Sequence, residues 1–175
     1  DGGGATHTAD FAVTAAFSAN SAKFGGSDAS NPTANVFKIG THNEINANTE
    51  SFVFYTLRSV SGVCKIGSYI GNLSADGPFI NTGFKPRFIL YRNISITTDW
   101  NIRDTARDAY NTSSADLAPN SNAVEPIGGG DMDILSNGFK PRAAGGGMNG
   151  NGNTIIYLAI ADLGGNGTLP PIYGR

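Results

Sequence analysis

Apolar residues along this chain come in short runs, rich in β-branched and aromatic side chains, and the runs are separated by Gly, Asn and Pro. That is the pattern of strands punctuated by turns. In SFVFYTL, from Ser51, an extended backbone points Phe52, Phe54 and Thr56 one way and Val53, Tyr55 and Leu57 the other. Both sides are apolar, which predicts a central strand of a sandwich. TIIYLAIA from Thr154 reads the same way, and RFILYRN from Arg87 sets Phe88 and Leu90 against Ile89 and Tyr91. Pro86 and Pro141 each stand just before an Arg and fit the first position of a strand, because proline cannot donate to a ladder. Helix signals are sparse: TARDAY, with Asp104 as a cap, supports one or two turns at most.

The chain also repeats itself. FKIGTHNEINANTESFVFYTLR (Phe37 to Arg58) aligns with FKPRAAGGGMNGNGNTIIYLAIA (Phe139 to Ala161), matching Phe37 to Phe139, Lys38 to Lys140, Asn46 to Asn149 and the two apolar runs. A weaker match sets FSANSAK at Phe17 against LAPNSNAV at Leu117, and a shorter echo sets TGFKPR at Thr82 against NGFKPR at Asn137. Each long copy reads as a hairpin with a Gly/Asn-rich tip. The expectation is one domain over 1–175. It comprises a shortened repeat at about 1–60, a full repeat at about 62–162, and a tail at 163–175. Two related sets of strands that cannot cover both their faces alone imply an all-β, antiparallel two-sheet β-sandwich, jelly-roll-like, with an internal pseudo-repeat.

Composition narrows the function classes. Charged residues are 15% and Gly is 24 of 175 residues, so surface hydrogen bonding falls mostly to neutral groups. A net charge of −2 and 12 scattered basic residues do not supply the clustered Lys/Arg surface that a nucleic-acid partner requires. Cys64 is a single cysteine in the apolar-flanked run GVCKIG and reads as a buried thiol. No apolar run reaches the length of a membrane span, and DGGGATHTAD does not read as a signal peptide. Without Met at position 1, Asp1 reads as a cut rather than a start.

The densest candidate chemistry is DWNIRDTARDAYN, Asp99 to Asn111, around the only tryptophan. Its acids could be the paired carboxylates of a glycan-cleaving site. An Arg flanked by Asp in a chain of low charge more often makes a bidentate pair that pins a loop. The reading is therefore structural: Trp100 packed inward, with Arg103, Asp104, Arg107, Asp108 and Tyr110 as the anchor and ion-pair set of a corner. No residue is assigned a catalytic role. Asp131 and Asp133 are two apart in GGGDMDI but lack the further acids and closing Glu of a calcium loop, and His7 and His42 lack zinc-ligand partners, so no metal and no cofactor is expected. GNLSADG lacks a nucleophile elbow, and GGGMNGNGN lacks the GK[ST] of a phosphate loop.

CKIGSYIGNLSADGPFINTGFKPRFILYRN, DWNIRDTARDAYN, DILSNGFKPR, MNGNGNTIIYLAIAD and the ending GTLPPIYGR together resemble a family of tailed-bacteriophage virion proteins, over about Val36 to Arg175. The chain departs from that pattern at Leu73, where a Gly is usual, across Ile94 to Thr98, and at AIAD from Ala159. The resemblance implies a virion location and a β-rich module of larger appendage proteins, and with no catalytic set among the residues the reading is a non-enzymatic component of a tail, fibre or capsid surface. Its Asn/Tyr/Gly-rich loops, with candidate contacts at Asn72, Asp76, Asn149, Asn151 and Asn153, suit contact with a bacterial surface polysaccharide, since amides pair with hydroxyls. The alternative is a purely architectural decoration or assembly domain, and a glycan depolymerase is the remote one. Open strand edges also predict partners: other copies of the chain, with a trimer preferred, and other virion proteins.

Overall fold

The computed structural model describes residues 39–125 and 127–162, together with residues 7–8, 14 and 18–19. In chain order the elements are β1 (His7–Thr8), β2 (Ser18–Ala19), α1 (Asn43–Asn46), β3 (Cys64–Ile70), β4 (Ile80–Asn81), β5 (Pro86–Asn93), β6 (Asn101–Asp104), β7 (Ser113–Ala115), β8 (Ile127–Leu135), β9 (Gly138–Pro141), α2 (Gly146–Asn149) and β10 (Thr154–Ala161). Two antiparallel four-stranded sheets result, ordered β3-β10-β5-β6 and β4-β9-β8-β7, beside the small pair β1-β2. The protein is an all-β two-sheet sandwich. No helix among the described residues is long and apolar enough to cross a membrane.

The alternation read from the sequence decides what lies between the sheets. Ile155, Tyr157, Ala159 and Ala161 of β10 are all buried, as are Ile89 and Tyr91 of β5. Opposite them stand Met132, Ile134 and Phe139 from the second sheet, in one apolar cluster. At its centre Phe139 meets Tyr157 and Tyr69 edge to face, at ring-centroid distances of 5.2 and 6.0 Å. Such aromatic contacts add to the gain from area burial alone. Burial and its neighbour Tyr157 push the Tyr69 phenol far above its ordinary value, so it stays protonated and donates to Met148 O at 2.7 Å.

Three expectations need correcting. SFVFYTL is not a central strand: residues 51–59 form no strand, and Val53, Tyr55 and Leu57 are exposed. The central place belongs to β10, its aligned counterpart, which has β3 and β5 on its two sides. Pro86 does open β5, but Pro141 closes β9, so the TGFKPR echo leads into one sheet while NGFKPR spans a strand of the other. TARDAY forms a turn at residues 105–107 rather than a helix, closed by Asp104 O accepting from the amides of Arg107 and Asp108.

The aligned stretches do share a local structure. Asn46 and Asn149 each end a four-residue helix, and each side-chain amide donates to the carbonyl six residues earlier, Gly40 O at 3.0 Å and Ala143 O at 3.2 Å. Phe37, Lys38, most of the weaker match (Phe17 and residues 20–23) and the tail 163–175 lie outside the described residues.

The loop after β3 contains a strained residue. Leu73 has φ 53°, held there by its amide donating to Asn149 O at 2.8 Å. A branched side chain in left-handed backbone costs roughly 1–2 kcal/mol, part of which glycine gives back through its freer unfolded chain. Leu73→Gly, at a side chain that is half exposed, is expected to raise stability by about 1 kcal/mol in urea unfolding.

Candidate functional site

The charged stretch forms the corner where the chain leaves the first sheet for the second, since β6 belongs to one and β7 to the other. Pairing of β6 with β5 sets Arg103 beside Ile89, on the face turned to the core. Arg103 is only 1% exposed, and a buried guanidinium demands a carboxylate. Asp116, just past β7, provides it: Arg103 Nε lies 2.8 Å from Oδ1, and Nη2 donates to Oδ2 at 2.8 Å. Tyr91 of β5 donates its hydroxyl to the same carboxylate at 3.0 Å. Burial pushes the Asp116 carboxyl up, while Arg103 and the Tyr91 hydrogen bond pull it back. Burial, with Asp116 beside it, raises the Tyr91 phenol well above its ordinary value, so the phenol serves as a proton donor in a structural lock.

The other members of the set are spread around this lock. Asp108 accepts from the amides of Ser114 at 2.6 Å and Ala115 at 3.2 Å, covering the outer edge of β7. The Ser114 amide chiefly holds its carboxyl below the usual carboxylate range. Asp104 accepts from the Ala106 amide at 2.7 Å and so shapes the turn. Arg107 pairs with Glu125 and also donates to Ile102 O. Trp100 departs from expectation: it is half-buried against Arg92, whose guanidinium lies 5.5 Å from the ring centroid. Arg92 alternates with Ile89 and Tyr91, so Trp100 covers the outer face of the sheet rather than entering the core. Tyr110 is 84% exposed and anchors nothing among the described residues.

The loops at Asn72 and Asn149 form a second cluster. Asn149 is fully buried, and its side-chain nitrogen donates to Asn72 Oδ1, Ser74 O and Ala143 O while its oxygen accepts from the Asn72 amide. It is therefore a clip between two loops. Asn72 is exposed but engaged, donating to Asp76 O and accepting from the Ser74 amide. Asp76 holds Lys140 at 2.6 Å and Arg142 at 3.1 Å, and Lys140 chiefly lowers its carboxyl below the usual value. Arg142 also reaches Asp133 at 3.0 Å. Asn153 O accepts from the Gly71 amide, while Asn151 is exposed at the tip. Asp131 presents its main-chain oxygen to the Arg142 amide at 2.7 Å. Among the described residues, no group of three or more His, Cys, Asp or Glu is placed to hold a metal ion.

A family model described as a domain of unknown function, DUF7483, matches residues 3–163. The chain belongs to the DUF7483 family. No curated protein and no solved structure matches it. The DUF7483 match takes in both the sandwich and the residues that precede it.

Within the DUF7483 sandwich, Arg103, Asp104, Arg107 and Asp108 share this corner with three residues that the sequence reading misses: Tyr91, Asp116 and Glu125. Asp116 carried a signal, an isolated acid in SSADLAP following a short β-branched-poor stretch, yet nothing in its spacing ties it to Arg103.

Two outcomes follow for the corner. Asp116→Ala leaves a buried guanidinium without its carboxylate and is expected to lower stability by about 3–5 kcal/mol in urea unfolding, whereas Arg103→Met with Asp116→Leu recovers most of that loss. Asp108 has a depressed folded pKa, so its contribution is present above the unfolded value of 3.8 and lost as pH falls through the folded one. Asp108→Asn keeps an acceptor but not the charge, and is expected to flatten the stability–pH curve below that value, as followed by thermal melts in acid.

Proposed function

We propose that this DUF7483 chain is a non-enzymatic β-sandwich module of a bacteriophage virion, carried on a tail, fibre or capsid surface, whose exposed loops contact a host surface glycan. The phage part rests on the resemblance of CKIGSYIGNLSADGPF, DWNIRDTARDAYN and DILSNGFKPR to tailed-phage virion proteins. The non-enzymatic part is supported by one observation: the acids of the charged stretch are spent on the fold. Asp108 is engaged with two β7 amides, Asp104 with its own turn and Asp99 with the Asn120 side-chain amide.

Glycan contact would fall to side chains that remain exposed, such as Asn151 and Tyr110, because an aromatic face and a free amide are the groups that sugars engage. The architectural reading is favoured by a different observation, the exposed apolar run at residues 52–57, which suits assembly better than solvent.

Probing an array of bacterial surface polysaccharides with the intact chain separates these readings. Retention on at least one polysaccharide, weakened by Tyr110→Ala or Asn151→Ala with the near-ultraviolet spectrum unchanged, is the expected result. Silence across the array favours architecture, and release of reducing ends that Asp104→Asn abolishes would establish the depolymerase instead.

A further inference from the structure

Residues 51–57, SFVFYTL, have the composition of a strand and the surroundings of a loop. Val53, Tyr55 and Leu57 are 77%, 89% and 69% exposed. Among the described residues, Ser51, Phe52, Val53, Tyr55, Thr56 and Leu57 make no backbone hydrogen bond. The aligned strand β10, by contrast, has a neighbour along each edge. The amides of Ser51, Val53, Tyr55 and Leu57, which lack a hydrogen-bond partner among the described residues and lie in an exposed apolar run, form a template for pairing with another strand.

Folding back onto β3 of the same chain is obstructed at the first step. Val60 pairs with Cys64 across the turn at residues 61–63. The next outward-facing groups of β3 belong to Ile66, and the Ser59 hydroxyl takes both: it accepts from Ile66 N at 3.0 Å and donates to Ile66 O at 3.4 Å. A side chain thus occupies the place where the strand backbone would dock.

The flanking charges identify the partner. Glu50 and Arg58 bracket the run, are both exposed, and form no salt bridge among the described residues. Each stands four positions from Phe54. An antiparallel pair of two such runs, related by a two-fold axis at Phe54, sets Glu50 of each copy opposite Arg58 of the other. It also sets Val53 opposite Tyr55 and Phe52 opposite Thr56, aromatic and β-branched pairings of the kind that stabilise sheets. A slip of one residue sets Glu50 against Ser59 and Arg58 against Ser51, so the charges choose the register.

We propose that residues 50–58 form an isologous two-stranded interface between two copies of this chain, centred on Phe54 and fixed in register by two Glu50–Arg58 pairs. The inference stands on this segment alone and holds whether or not the chain belongs to a virion.

Sedimentation velocity of the intact chain over a range of concentrations tests it. A monomer–dimer equilibrium is expected. Glu50→Arg and Arg58→Glu each place like charges opposite one another at both ends of the pair, and each is expected to raise the dissociation constant about tenfold. The double reversal Glu50→Arg with Arg58→Glu restores the original value. Both side chains are exposed, so circular dichroism is expected to be unchanged in all three variants. A monomer at every concentration overturns the proposal, as does an oligomer indifferent to the single reversals or one that the double reversal fails to rescue. Protection of the residue 51–57 amides from hydrogen exchange in a monomer also overturns it, and assigns the run to the chain's own sheet.

Discussion

A guanidinium that is 1% exposed can persist only if a carboxylate is brought to it, and the corner of this sandwich is arranged around that demand. Arg103 extends from β6 in the first sheet, Asp116 follows β7 in the second, and Tyr91 of β5 adds a hydroxyl to the same carboxylate. The pair therefore fixes where the chain may cross between layers. Ile102 and Leu117, each next in sequence to one partner, exchange main-chain hydrogen bonds at 2.8 and 3.2 Å, so the ion pair and the adjacent bridge hold the same two segments. Desolvation opposes the charged form of Asp116, so taking the two charges out of water offsets part of what the pair contributes.

Edges explain much of what surrounds that lock. A four-stranded sheet ends in two unpaired rows of amides and carbonyls, and each row must be shortened, covered or joined to another strand. Here β4 is two residues long, Leu117 bridges the outer side of β6, the Asp108 carboxylate takes two amides of β7, and Ser59 with Val60 covers the start of β3. Three of the four devices sit in segments that look like loops in the sequence. The charged stretch that resembles an active site is, in large part, edge protection.

How much of this is legible from the sequence depends on what each residue type reports. Alternation in RFILYRN and TIIYLAIA reports two apolar faces, and both runs are strands flanked by other strands. SFVFYTL carries the same alternation yet joins no strand among the described residues, because a periodicity describes the faces a strand could bury and says nothing of its edges. Proline is ambiguous in the same way: its missing donor suits either end of a ladder, which is why Pro86 opens β5 and Pro141 closes β9. The match of Asn46 to Asn149 is legible because a side-chain amide bonding six residues back is a local event. Arg103 with Asp116 is not, since their meeting depends on which sheet each neighbouring strand joins.

The low charge of the chain follows from the same requirement to satisfy backbone groups. An Asn side chain is a peptide group that can be aimed, with one acceptor and one donor nitrogen. Asn111 uses both on Ile134, accepting from its N–H and donating to its C=O at 2.9 Å each, and so pairs with β8 as a strand neighbour would. Asn93, fully buried at the end of β5, donates to Gly146 O and accepts from the Ser95 amide. Asn149 does the same between two loops. At the two buried positions, Asn93 and Asn149, a charged residue would bring a desolvation cost, and a shorter neutral one could not reach. Loops whose backbone groups are satisfied by side-chain amides in this way need few ions to hold them, which accounts for a fold that stands on a 15% charged composition.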